Sequence, residues 1–467
     1  MKIVIVSIFR KNFGGGEGRV AHEMADVFAE RHDVTLVCPG EQTGLHVHKN
    51  GLKEFTIKSV NRDHLSVPLL SPATLRTLYN YLESFSPDVI HAHDPALLGV
   101  VLQVWAKTHR VPFVYTTHVL PTRATEFGTM DVLRLNLDFV AKPLIRRFLL
   151  NFYNNCDAVI ALNQPAFDEV RAFGYQGKLS ILPNGRRLSR YEARVLPTLD
   201  CTHRNLISIG QLTSRKNQSY LLEVMRHLPS SYKLRIAGSP LTPAYGALLM
   251  EQAREYGLNN VTFLGEVAHE KVAELLAESH LFLSASTMEV QSLVVIEALA
   301  SGTPVAGLSN ETIDELVDSR VGVPLPKSTT PETFASAVEH IFAQPASTYL
   351  ASCEAARQRV QHLDWSKVME RTTTLYAQLI DEPVTRPSSN PAQAKLAAQI
   401  LRFIPDEQWK ETVLDLAASL PATMRHSRPV SLETRLISGM TNTGSSLLYA
   451  ALKADQVIRT RPTGHVV

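Results

Sequence analysis

Short β-branched runs recur along this chain at the spacing of strands, each followed by a longer amphipathic stretch, and the whole pattern runs through twice. Ile3–Ser7, Val34–Cys38, Val89–His91, Phe113–Thr116 and Ala158–Ala161 form the first series. Leu206–Ile209, Lys233–Ala237, Val261–Phe263, Leu281–Ser284 and Pro304–Ala306 form the second. Strand-length apolar runs separated by helical lengths predict βαβ units on a parallel sheet. The simplest arrangement is two Rossmann-like, doubly wound α/β domains in tandem. A chain of 467 residues agrees, because one hydrophobic core rarely extends that far.

The boundary is expected between Asn184 and Asn205, where Pro-Asn-Gly, several arginines and Pro197 interrupt any periodicity. This gives a first domain over 1–190 and a second over 191–381. The second ends in a helix from Trp365 to Ile380, with Ser366 as its N-cap. Three prolines mark 382–393 as a linker. Residues 394–467 are expected to form a mostly helical extension through Ala394–Phe403 and Asp406–Ser419, and no motif there assigns it a role.

Charge excludes some functions. Lys plus Arg number 47 against 45 Asp plus Glu, so there is no global field to attract nucleic acid. Cys38, Cys156, Cys201 and Cys353 are scattered, with no C-x-x-C pair, which argues against a disulfide framework or a zinc site. The first residues enter a strand directly, and no run reaches the length of a spanning helix. The expectation is a cytoplasmic protein, or one resting on the inner face of a membrane.

Gly14, Gly15 and Gly16 follow the first strand and open a helix whose apolar face is Val20, Met24, Val27 and Phe28. Glycine lets backbone approach a ligand, and free N–H groups at a helix start suit a phosphate. The spacing matches neither a dinucleotide fingerprint nor a P-loop. A second constellation lies at Ser286–Val305, where Glu289 precedes a helix and Glu297 sits on it. Two such carboxylates can grip hydroxyls of one sugar-bearing ligand, with the amides of Ser292, Leu293 and Val294 between them facing a diphosphate.

Leu293–Val305 resembles the signature of the retaining glycosyltransferases of family 4, which have the GT-B fold. Ser208–Lys216 is similar to that family's G-R-L-x-x-x-K, Val261–Gly265 to its V-x-F-L-G and Ile181–Gly185 to its P-N-G. Pro87–His93 and the closing helix after Trp365 match as well. The likeness runs over about 1–381. It implies two domains facing across a cleft, with Gly14, Gly15 and Gly16 approaching the donor diphosphate. It also implies Lys216 as the cation on that diphosphate, Glu297 at the ribose, Glu289 at the transferred sugar and His118 near the reacting carbon. No Asp-x-Asp occurs, so a reaction without metal or other cofactor is expected. Fixed donors and a lysine would stabilise the departing diphosphate.

Three residues depart from the pattern: Gln211 stands for an arginine, Ser292 for a glycine and Gln291 for a phenylalanine. Arg215 is the candidate replacement for the missing charge. Glu-x-Gln is similar to diacylglycerol hexosyltransferases, which implies transfer of a hexose from UDP-glucose or UDP-galactose to a lipid such as diacylglycerol. Lys142–Tyr153, basic and apolar together, suits an anionic membrane surface. A polysaccharide, glycan or small-molecule acceptor is the nearest rival. From other classes come a UDP-sugar epimerase and a silent nucleotide-sugar-binding subunit.

Overall fold

The computed structural model describes residues 1–11, 15–62, 65–122, 138–192 and 203–382. Two compact units emerge. One holds Met1–Leu182 together with the segment from Arg371, and the other holds Pro183–Glu370. The division precedes residue 190 because Leu188 and Tyr191 are buried in the core of the second unit. The linker and extension, 383–467, lie outside the described residues.

The first unit contains β1 (Lys2–Val6), β2 (Asp33–Gly40), β3 (Gly44–Val47), β4 (Lys53–Arg62), β5 (Leu65–Pro68), β6 (Val89–Ala92), β7 (Phe113–Thr117), β8 (Ala158–Ala161) and β9 (Leu179–Ile181). Its sheet runs β3-β4-β2-β1-β6-β7-β8-β9, with β5 beside β4. The central strands are parallel, and β1, β6, β7 and β8 are buried at nearly every residue. Burial on both faces explains why these strands read as continuous apolar runs. Strand order reverses between β1 and β6, the point where ligands bind in open α/β sheets. The helix Gly15–Phe28 returns from β1 and buries Val20, Met24, Val27 and Phe28 as its spacing predicts.

The antiparallel β3–β5 portion is absent from the sequence reading. Its signal was available, since Asn50-Gly51 is a strong hairpin turn pair and Gly51 adopts a φ of 85°. Phe55 and Ile57 alternate inward with exposed or half-exposed neighbours.

The second unit contains β10 (Arg204–Ile209), β11 (Tyr232–Ala237), β12 (Val261–Gly265), β13 (Leu281–Ser284), β14 (Val305–Leu308) and β15 (Gly322–Leu325). They form one parallel sheet, β12-β11-β10-β13-β14-β15, whose order reverses between β10 and β13. The helix Leu293–Ala300 stops as expected at Gly302, where φ is 75°. Thr303 N–H donates to the Ala298 carbonyl and Gly302 N–H to that of Leu299, a Schellman closure.

The closing helix spans Trp365–Asp381, so Ser366 lies inside its first turn and is not the cap. Asp364 caps it instead, accepting from Ser366 N–H at 2.9 Å and from the Ser366 hydroxyl at 2.6 Å. A carboxylate one residue ahead of the helix reaches that amide without distortion.

Candidate functional site

Each unit carries its own group of candidate residues beyond the carboxyl ends of its strands. In the second unit, the loops after β10 and β13 flank the point where strand order reverses. The loop after β10 carries Gln211, Arg215 and Lys216, and the loop after β13 carries Glu289 and Ser292.

Backbone sterics shape the first loop. Gly210 and Gly238 both lie at positive φ, and a Cβ on Gly238 would meet the Gly210 carbonyl oxygen at 2.0 Å. Only glycine allows this approach. Gln218 then ties the loop together, accepting from Thr213 N–H and donating to the Gln211 carbonyl. Asn217, at a φ of 54°, turns the chain into the helix Gln218–His227. The two loops are joined where Thr287 N–H donates to the Arg215 carbonyl at 2.9 Å.

At the centre is Glu289, nearly buried. Its Oε1 lies 2.5 Å from Lys216 Nζ and 3.1 Å from Arg215 Nη1, and it accepts from Ser286 Oγ at 2.8 Å. Burial alone would raise its pKa, but the two cations and the hydroxyl outweigh that and hold it below the usual carboxylate value. Arg215 thus turns toward Glu289, and it also donates to the Met288 carbonyl. Gln211 is exposed.

A bracket that the sequence reading missed holds this loop. Asn310 donates to the Ser286 carbonyl, Glu311 accepts from Glu289 N–H at 3.2 Å, and Thr312 Oγ1 accepts from Ser292 N–H at 2.8 Å. The Ser292 amide is thus engaged within the fold. Leu293 and Val294 occupy the first turn of the helix Leu293–Ala300. Nothing local announces the bracket, because its three residues lie 20 or more positions from their partners in sequence.

Glu297 is fully buried and forms an ion pair with Arg186, itself 1% exposed. Arg186 follows the Pro-Asn-Gly stretch and exchanges backbone bonds with Leu363 and Trp365. The pair holds Glu297 in the middle of its helix. Gln291 joins the same region, its Oε1 accepting from Asn184 N–H at 2.7 Å.

In the first unit, Gly15 and Gly16 open their helix while Gly14 lies outside the described residues. His118 follows β7, and its Nε2 is 2.9 Å from His93 Nδ1. His91, on β6, stacks on His93, and Asp94 accepts from Ile8 N–H at 2.7 Å. Burial lowers the pKa of all three imidazoles below the ordinary value, that of His91 to about 3. Burial raises Asp94 to about 7 against the two backbone amides that favour its charge. The group is therefore neutral histidine, able to donate or accept a hydrogen bond without carrying charge.

Lys142–Tyr153 falls within the helix Asp138–Asn154. Leu149, Phe152 and Tyr153 are buried in the first unit's core, so there the apolar face is occupied by protein. Among the described residues no helix is long and apolar enough to cross a membrane, and no cluster of candidate metal ligands occurs.

A family model described as Glycosyltransferase Family 4 matches residues 14–190, and one described as Glycosyl transferases group 1 matches residues 197–359. The chain belongs to the GT-B glycosyltransferases of family 4. Among curated relatives of this family, alpha-monoglucosyldiacylglycerol synthase of Acholeplasma laidlawii is 26% identical over 314 residues, 63% of this chain and 76% of the relative. A GDP-mannose-dependent alpha-(1-6)-phosphatidylinositol dimannoside mannosyltransferase of Mycobacterium tuberculosis is 23% identical over 383 residues, 79% of this chain and 93% of the relative. Among solved structures, sucrose-phosphate synthase of Thermosynechococcus elongatus aligns at a TM-score of 0.67 and 20% identity, covering 81% of this chain and 99% of that one. Anabaena HepE in complex with UDP and glucose aligns at 0.64 and 20% identity, covering 81% and 100%. Both neighbours support the GT-B fold on structural grounds.

Proposed function

We propose that this family 4 glycosyltransferase is a retaining, metal-independent enzyme that moves a hexose from UDP-glucose or UDP-galactose to a membrane lipid such as diacylglycerol. The observation that carries the donor reading is the convergence of Lys216 and Arg215 on Glu289 at the switch point of the second sheet. A bound diphosphate would compete for these cations, leaving Glu289 to accept from hydroxyls of the transferred sugar.

In this scheme Lys216, with Arg215 in place of the arginine missing at 211, stabilises charge as it develops on the departing diphosphate. The family likeness assigns Gly14, Gly15 and Gly16 to a donor phosphate. Glu297, which the family likeness assigns to the ribose, is sealed against Arg186, so in this scheme donor binding opens that pair. His118, neutral, donates or accepts a hydrogen bond near the anomeric carbon. The acceptor attacks on the face that the diphosphate leaves, and the departing phosphate oxygen takes the acceptor's proton. In this scheme Lys216 and Arg215, freed from Glu289, supply the positive charge that a metal would otherwise bring to the diphosphate.

The lipid acceptor draws on the diacylglycerol and phosphatidylinositol chemistry in the names of the two relatives, the hexose on the glucosyl group in the first name, and UDP on the ligand of HepE. The test is transfer from a panel of radiolabelled UDP- and GDP-sugars over diacylglycerol vesicles with EDTA present. Label from one UDP-hexose entering the lipid supports the reading. Hydrolysis without lipid product moves the acceptor to a glycan, and turnover that EDTA abolishes removes metal independence.

A further inference from the structure

We propose that Tyr376 is a positioning residue for His118, acting through a stack of three imidazoles that its hydroxyl holds at the far end. This rests on the reading of His118 as a participant in transfer. Tyr376 lies on the closing helix, in the part that packs with the first unit, and no motif of the chain includes it.

Tyr376 is fully buried, and its hydroxyl lies 2.5 Å from His91 Nδ1. Among the described residues that hydroxyl has no other hydrogen-bond partner. A buried phenol O–H left undonated is costly, so the proton points to His91 Nδ1. His91 then carries its own proton on Nε2 and donates it to Thr116 Oγ1, 2.7 Å away. With both nitrogens held, the ring plane of His91 is fixed. Burial raises the phenol pKa far above 10, so the hydroxyl stays a donor across the working range.

The next ring depends on this one. His93 stacks on His91 with centroids 4.6 Å apart and planes 26° apart. It is 2% exposed, and among the described residues its Nε2 has no hydrogen-bond partner. Among the described residues its one side-chain hydrogen bond joins Nδ1 and His118 Nε2. His118 in turn stacks on His93 at 5.1 Å and 21°. Ring packing on one side and that single bond on the other therefore set how His93 lies, and His93 sets the direction of His118. Loss of the Tyr376 hydroxyl frees His91 to rotate about its remaining bond, and the tilt passes along the stack.

Tyr376→Phe tests this, because the ring contact with Phe28 at 6.3 Å survives and only the hydroxyl is lost. The purified full chain is assayed with the nucleotide sugar that the donor panel identifies, beside His118→Ala. The expected result is a fall in kcat of about 10-fold or more with donor KM unchanged, as misdirection of a reacting group produces. Ring ¹⁵N resonances of His93 and His118 should shift in the same variant. Thr116→Val, which removes the other hold on His91, should act in the same direction and serves if Tyr376→Phe does not fold. An inactive His118→Ala beside fully active Tyr376→Phe and Thr116→Val, with unshifted ring resonances, overturns the positioning role. A fully active His118→Ala instead overturns the reading on which it rests.

Discussion

Replacing Arg186 by methionine removes one charge from a pair sealed inside the second unit. Glu297 is 0% exposed and Arg186 1% exposed, so water cannot take over the lost interaction. Breaking a buried ion pair by removing one partner typically costs about 3 to 5 kcal/mol. In a unit of this size each kcal/mol lowers Tm by about 2 to 4 °C, so a fall of about 6 to 20 °C is expected. Calorimetry on the full chain measures it. The deficit should also depend on pH. Without the guanidinium, burial raises the pKa of Glu297, so the folded state binds its proton more tightly than the unfolded state. Stability is then retained at low pH and lost as pH rises through the raised value, making the deficit larger at pH 8 than at pH 5. Adding Glu297→Leu to Arg186→Met should recover most of the loss, because two apolar groups of similar volume replace the pair. A loss below about 1 kcal/mol, or single-variant losses that simply add in the double variant, would refute the reasoning.

Lys216→Ala should weaken UDP binding by about 10- to 100-fold, the worth of a charge-assisted contact, and titration calorimetry reads it directly. Unchanged affinity would remove Lys216 from the donor site. Gly238→Ala should displace the loop Gly210–Lys216, costing about 1 to 3 kcal/mol with a parallel loss of UDP affinity. Wild-type stability with wild-type affinity would show that the close approach is not obligatory. Acidification should destabilise the first unit between pH 6.5 and about 3, because its imidazoles are held neutral in the fold. Asp94 opposes this, since its raised pKa favours the folded state as pH falls below about 7. Asp94→Asn should therefore steepen the loss seen in melts from pH 7 to 4. An unchanged slope would contradict the buried, protonated Asp94.

How much of this was legible depended on how local each cause is. The parallel strands were readable because burial on both faces leaves unbroken apolar runs such as Ile3–Val6 and Leu281–Leu283. The stop at Gly302 was readable because it requires a residue that accepts positive φ. Glu289, Lys216 and Arg215 stood out by motif, and the fold supplies the reason they meet, since adjacent strands β10 and β13 deliver both loops to one place. The cap at Asp364 was misplaced by two residues because Ser and Asp both satisfy a capping pattern. Arg186, Tyr376 and the bracket Asn310–Thr312 were invisible, since each acts on a partner brought near only by tertiary folding. Tyr376 is 285 residues from His91.

That separation has a consequence for synthesis. The first unit is not contiguous in the chain, because the segment from Arg371 returns to it only after the whole of Pro183–Glu370 has been made. At roughly 5 to 20 residues per second, the ribosome leaves the nascent first unit without that helix for about 10 to 40 seconds. Throughout that interval His91 lacks its tyrosine, and the surface that Tyr376 later covers is open. The emerging protein therefore passes through a stage with a complete parallel sheet and an unfinished histidine stack, during which the second unit is free to fold.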